Sequence, residues 1–165
     1  MTSIILLEGP DLAGKSTLAT QLGADTVLRS GPPPRGTCWE HEYVARLFKA
    51  PLGNRVVLDR WHYGELVYPQ IIGRPSFMTP TQASYVDRIL EGSCDVYLKV
   101  LLLPSADLLE HRFATRGDKL FGIEDILKAR LEYVKIVDRF DLVLRTDEDV
   151  ARFTKRVAAA GVTLP

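Results

Sequence analysis

Short apolar strands alternating with helical stretches predict an α/β fold built on a five-stranded, mainly parallel sheet. Two further observations support that class. The first strand runs apolar and uninterrupted from Ile4 to Leu7, as in a strand buried on both faces. A glycine-containing turn, Gly9 to Ser16, then leads straight into a helix. The 165 residues, 46% hydrophobic and 25% charged, predict one globular domain spanning 1–165, not a disordered chain, a coiled coil or a collagen-like repeat.

The elements follow in order. Ser3–Leu7 is the first strand and Lys15–Leu22 the first helix. Thr26–Ser30 is the second strand, ended by Gly31-Pro32-Pro33-Pro34, which continues neither a helix nor a sheet. Cys38–Lys49 has helical spacing, with Trp39, Tyr43, Arg46 and Leu47 on one side, and Pro51 stops it. Arg55–Asp59 is the third strand. Trp61–Gly73 is aromatic and follows neither period clearly. Thr79 is an N-cap with Pro80 at the first helical position, so a helix runs to about Leu90. Val96–Leu103 is the fourth strand. Ser105 caps a helix to about Thr115, broken by Gly117. A helix from Ile123 to about Asp138 follows. Phe140–Arg145 is the fifth strand, and Thr146 or Asp147 caps a last helix ending near Gly161.

Charge and composition exclude several functions. Lys plus Arg and Asp plus Glu each number 21, a formal balance of zero that argues against gripping duplex nucleic acid as the main task. No apolar run approaches the ~20 residues of a membrane span. Met1-Thr2-Ser3 lacks a basic leader region, and Cys38 and Cys94 make no disulfide framework, so a cytoplasmic setting is expected. Cys38 and His41 stand three apart but lack the two further ligands a zinc site needs.

Gly9-Pro10-Asp11-Leu12-Ala13-Gly14-Lys15-Ser16 matches G-x-x-x-x-G-K-[ST] in full, between a strand and a helix. Glycines let consecutive backbone N–H groups face one phosphate, and the helix start favours an anion. Lys15 is expected to reach the β/γ-phosphates and Ser16 to bind Mg²⁺. Nucleotide binding is thus predicted, with Gly9, Asp11, Ala13, Gly14, Lys15, Ser16 and Thr17 forming the phosphate cradle. Asp59 ends a buried strand, where α/β sheets place ligands, and is a candidate for Mg²⁺ or acceptor orientation. Arg60 beside it can clamp a phosphate through its planar fork. Arg112 and Arg116 are four apart and share a helix face, suited to closing over phosphates. Trp61, His62, Tyr63 and Tyr68 could stack on a base, with Arg74 near an acceptor phosphate. Gln82 and Tyr85 are candidates for reading a base edge.

These residues resemble the thymidylate kinase family. Glu8-Gly9-Pro10-Asp11-Leu12-Ala13-Gly14-Lys15-Ser16-Thr17 is similar to its opening, E-G-x-D-G-x-G-K-[ST]-T. Val56-Val57-Leu58-Asp59-Arg60 resembles its second signature, and Arg112-x-x-x-Arg116-x-Asp118 its arginine-bearing lid. The run Asp59 to Glu65 and the short length look most like phage-borne members. The resemblance implies a three-layer P-loop kinase fold with a short lid at about 112–122, ATP and Mg²⁺ as cofactors, and γ-phosphoryl transfer to a (deoxy)nucleoside monophosphate. It implies catalytic roles for Lys15, Asp59, Arg60, Arg112 and Arg116, metal binding by Ser16 and Asp59, and a homodimer as an expected assembly. Acceptor contacts would come from Asp11 at the sugar, and from Arg29, Arg60, Trp61, Tyr63 and Arg74. The chain departs from the family in three places. Leu12 replaces a Gly or Arg, Leu28 to Pro34 stands where Arg-Glu-Pro is usual, and Lys119 stands where the family often has arginine. Two alternatives stay open. One is a P-loop kinase of a hydroxyl, on a nucleoside or a hydroxymethylated pyrimidine in DNA, with Asp59 or Glu8 as base. The other is a nucleotide-binding protein without turnover.

Overall fold

The computed structural model describes residues 2–31, 36, 38–49 and 53–160, so the triple proline, Pro51 and Gly161 lie outside the described residues. The chain runs β1 (Ser3–Glu8), α1 (Lys15–Gln21), β2 (Thr26–Arg29), a π-helical turn (His41–Ala45) continuing into α2 (Arg46–Lys49), and β3 (Arg55–Asp59). It continues through α3 (Gly64–Ile72), α4 (Pro80–Gly92), β4 (Val96–Leu102), α5 (Ala106–Arg116), α6 (Ile123–Lys135), a 3₁₀ turn (Val137–Arg139), β5 (Leu142–Leu144) and α7 (Asp147–Ala160).

The five strands form one parallel sheet in the order β2-β3-β1-β4-β5. Every residue of β1 is buried, as its unbroken apolar run requires of a central strand. Alternation along the strands divides the core in two. Ile4, Leu6, Val56, Leu58 and Leu101 pack on one face against α2, α3, α4 and α6. Ile5, Leu7, Val57, Val100 and Leu102 pack on the other against α1 and α7. The result is the three-layer architecture the sequence predicts. Register places Leu7 opposite Asp59 and Glu8 opposite Leu101, so β1, β3 and β4 end together. The connection from β1 runs past β3 to β2, whereas that from β3 runs past β1 to β4, and this divergence of adjacent strands opens a crevice at that end.

Some elements differ from the sequence reading. The stretch around residue 43 is wider than an α-helix, because Arg46 N–H bonds to His41 O, five residues back. Trp61–Gly73 resolves into α3, whose buried residues Glu65, Val67 and Pro69 do not follow a 3.6 stripe. That helix packs on both the sheet and α6, so burial is not confined to one face. The fifth strand is shorter than expected, because Arg139 and Phe140 bond back to Ile136 and Val137 in a 3₁₀ turn. Among the described residues, no helix is long and apolar enough to cross a membrane.

Candidate active site

The loop from Gly9 to Gly14 carries β1 into α1. Gly9 has φ +141, and a Cβ there would lie 2.2 Å from Leu102 O, so only glycine fits. Leu12 adopts φ 63, a left-handed conformation rare for a branched side chain. It is held there by packing with Leu109 of α5 and Ile126 of α6. Leu12 therefore joins the loop to α5 and α6.

Lys15 is buried, and its ammonium donates to Gly9 O at 2.7 Å and Pro10 O at 2.5 Å. Burial, and then the nearby Arg60 charge, lower its pKa to about 7. Ser16 Oγ donates to Asp59 Oδ2 at 2.6 Å, and Arg29 Nε reaches the same oxygen at 3.2 Å. The Arg29 side chain is otherwise 63% exposed. Arg60 has φ 62 and pairs with Asp11, while Tyr68 donates its hydroxyl to the other Asp11 oxygen at 2.9 Å. Burial would push the Asp11 carboxyl up, but Arg60, Lys15 and Tyr68 more than offset it and hold it low.

Three cavities meet around these groups. A cavity of about 890 Å³ lies between α1, α5 and α7, lined mainly by apolar side chains such as Leu18 and Val150, with Arg112 and Arg116 on its rim. Arg112 donates to Leu12 O at 2.9 Å and to Asp147 Oδ1 at 2.6 Å across it. A polar cavity of about 290 Å³ gathers Lys15, Ser16, Arg29, Asp59, Arg60 and Arg116. Gly14, Thr17 and Arg116 border both. Arg60 and Ser30 border a third, smaller space shaped by Trp61, Tyr68, Arg74 and Phe121.

The structure thus brings Gly9, Asp11, Ala13, Gly14, Lys15, Ser16 and Thr17 together with Arg29, Asp59, Arg60, Arg112 and Arg116 at one end of the sheet. Other predicted residues sit elsewhere. Tyr63 is buried in the core and donates to Asp87 at 2.5 Å, away from the cavities. Gln82 closes a capping box with Thr79, and Tyr85 packs edge-on against Trp39, so neither faces the polar cavity. Trp61 lines the third space but is almost wholly buried, its indole N–H on Tyr43 O at 3.0 Å. Arg74 does not stand free for a phosphate, because Glu65 takes two of its N–H groups at 2.6 and 3.0 Å.

Glu65 escaped the sequence reading, since nothing in its neighbourhood announced a partner nine residues on. Glu8 is also more than a strand residue. Wholly buried, it accepts Trp61 N–H at 2.8 Å and the Tyr133 hydroxyl at 2.8 Å, fixing the backbone just after Arg60. A second buried cluster lies behind the site. His62 Nε2 is 3.1 Å from Asp87 Oδ1, although off the line a hydrogen bond needs, and Tyr97 and Lys99 also reach Asp87.

No family model matches the chain. The SPbeta prophage-derived uncharacterized protein YorR of Bacillus subtilis (strain 168) is 28% identical over 130 residues, which cover 75% of each protein. The crystal structure of Bacillus subtilis YorR in complex with phosphorylated GDP has a TM-score of 0.69 at 22% identity, over 94% of this chain and 93% of that one. Deoxyadenosine kinase from M. mycoides with bound dATP gives 0.56 at 17% identity, over 94% and 100%. Polyphosphate Kinase 2 from Arthrobacter aurescens TC1 gives 0.64 at 14% identity, over 94% and 65%. These likenesses lie in the fold: the chain has the α/β architecture of P-loop kinases.

Proposed function

We propose that the protein transfers the γ-phosphoryl group of ATP to a (deoxy)nucleoside monophosphate, in the manner of thymidylate kinases. The observation that carries this reading is the polar cavity where Lys15, Arg60, Arg116 and the Ser16–Asp59 pair converge, beside a mainly apolar cavity of about 890 Å³ with ample room for a nucleoside. The donor base and sugar occupy the apolar cavity, and the phosphates lie along the loop. Lys15 leaves the Gly9 and Pro10 carbonyls for the phosphate oxygens. Arg60 exchanges Asp11 for the acceptor phosphate, which its planar fork matches. Arg116, between the two cavities, stabilises the charge that develops on the transferred group.

Ser16 and Asp59 fit Mg²⁺, because both offer hard oxygen donors, 2.6 Å apart, to the same cavity. Bound there, Mg²⁺ neutralises phosphate charge. The nucleotides bound by YorR and deoxyadenosine kinase support a nucleotide in the crevice of this fold.

The test is ADP release with ATP and Mg²⁺ against each ribo- and deoxynucleoside monophosphate, each nucleoside, and DNA with and without hydroxymethylated pyrimidines. Turnover with a monophosphate, lost in Lys15→Met, is the expected result. Turnover only with a nucleoside or with DNA assigns a hydroxyl acceptor instead. ATP binding with no turnover on any acceptor overturns the enzymatic reading.

A further inference from the structure

Hydrogen bonds fix the backbone on either side of Arg60. Its own N–H donates to Leu7 O at 3.0 Å, continuing the pairing of β3 with β1. The next N–H, on Trp61, donates to Glu8 Oε1 at 2.8 Å. Peptide units are planar, so only φ and ψ of Arg60 lie between those two anchored planes. Anchoring both sets the two angles. The φ reached, 62, is one that a non-glycine residue keeps only where its surroundings impose it. Trp61 is held further by its indole N–H on Tyr43 O, at 3.0 Å. Glu8 is held in turn, because Oε2 accepts the Tyr133 hydroxyl of α6 at 2.8 Å. The Arg60 guanidinium, so placed, borders the polar cavity and the third space together, paired with Asp11 and 5.5 Å from the Tyr68 ring centre.

We infer that Glu8 is a positioning residue: through the Trp61 amide it holds Arg60 in the conformation that presents its guanidinium to the acceptor phosphate, and it is not the base of the reaction. The inference rests on the phosphoryl-transfer reading above. A general base must come within hydrogen-bond reach of the proton it takes. Glu8 is wholly buried and borders none of the three cavities, and each of its oxygens already accepts a hydrogen bond. A phosphate acceptor attacks through an oxygen that is already ionised near neutral pH. It calls for an oriented cation and not for a base, and an oriented cation is what Glu8 secures.

The experiment compares wild type with Glu8→Ala, Glu8→Gln, Arg60→Ala and the Glu8→Ala/Arg60→Ala double variant. The probes are dAMP, dCMP, dGMP and dTMP, followed by ATP-dependent turnover and by calorimetric binding without ATP. Glu8→Ala should lower kcat/KM for the monophosphate by about 10²-fold, the scale of a misplaced group, with KM for ATP far less affected. Added to Arg60→Ala it should cost nothing further, because its effect runs through Arg60. Glu8→Gln should recover most of the loss. Its amide oxygen can accept Trp61 N–H and its NH₂ can donate to the Tyr133 hydroxyl oxygen, so only the charge is removed. A crystal structure of Glu8→Gln should keep Arg60 left-handed. This isosteric variant decides the question if Glu8→Ala does not fold. A loss in Glu8→Gln of about 10²–10⁴-fold, as for a removed general base, overturns the inference. Additive losses in the double variant overturn it as well. So does full activity in Glu8→Gln with Arg60 outside the left-handed region. Monophosphate binding that Glu8→Ala weakens, without turnover, upholds the positioning and overturns the transfer. Turnover of a nucleoside alone, abolished in Glu8→Gln, overturns both, as does the absence of both turnover and binding with every monophosphate.

Discussion

At Lys15 the loop uses two of its own carbonyls to hold the lysine that a triphosphate would otherwise engage. With its pKa near 7, the amine is largely neutral at pH 8 in the free protein, and a bound triphosphate favours the ammonium. ATP binding at pH 8 should therefore take up a proton, and calorimetric heats should differ between buffers of different ionisation enthalpy. At pH 5.5 they should coincide. Asp87 titrates in the opposite sense. Burial would raise its pKa, but His62, Tyr63 and Lys99 bring it down to about 2, against 3.8 for an ordinary aspartate. Its stabilisation, about 2 kcal/mol, is present above pH 3.8 and is lost as pH falls towards 2. Urea unfolding across that range should show the loss, and Asp87→Asn should flatten it. Lys15, Ser16, Asp59 and Arg60 were legible because a contiguous motif or a strand end carries them. Glu65 was not, because its partner depends on how the chain turns after α3.

Among the elements, α4 shows what local chemistry can and cannot reveal. Thr79, Pro80 and Gln82 announce its start, and the structure closes a reciprocal capping box there. Gln82 is thereby committed to the backbone, which the helical spacing alone did not reveal. Thr79→Ala should lower unfolding free energy by about 1 kcal/mol, measured in urea, and leave ATP-dependent turnover unchanged. Strand β3 was legible to its last residue, because its apolar run stops at a charge. Strand β5 was not, because Phe140 is drawn into a turn by a backbone bond that carries no side-chain signature. Helix α5 was readable from Ser105 and Gly117, but the Arg112 contact with Asp147 joins residues 35 apart. Arg116→Ala should reduce kcat by about 10³-fold with little change in thermal stability, since Arg116 borders both cavities without an ion pair among the described residues.

For the molecule as a whole, sheet order is what assembles the site. Placing β1 between β3 and β4 brings Gly9, Asp59 and Leu102 to one end, although they are spread over nearly a hundred residues. That convergence followed from the alternation of strands and helices; the third cavity, bounded by α3 and the 117–122 segment, did not. The cluster of Leu12, Leu109 and Ile126 ties the loop to α5 and α6. Leu109→Ala should cost roughly 2–5 kcal/mol, read by denaturant unfolding, because it opens a void under the loop. The same wedge sets a tempo. Moving α5 would strip Leu12 from its packing, whereas the four residues between Gly117 and Gly122 are tethered mainly by Phe121 on Tyr68 and by the Asp118 carboxylate on their own backbone. Access to the crevice then belongs to the nanosecond-to-microsecond regime of a loop and not to the slower swing of a helical arm.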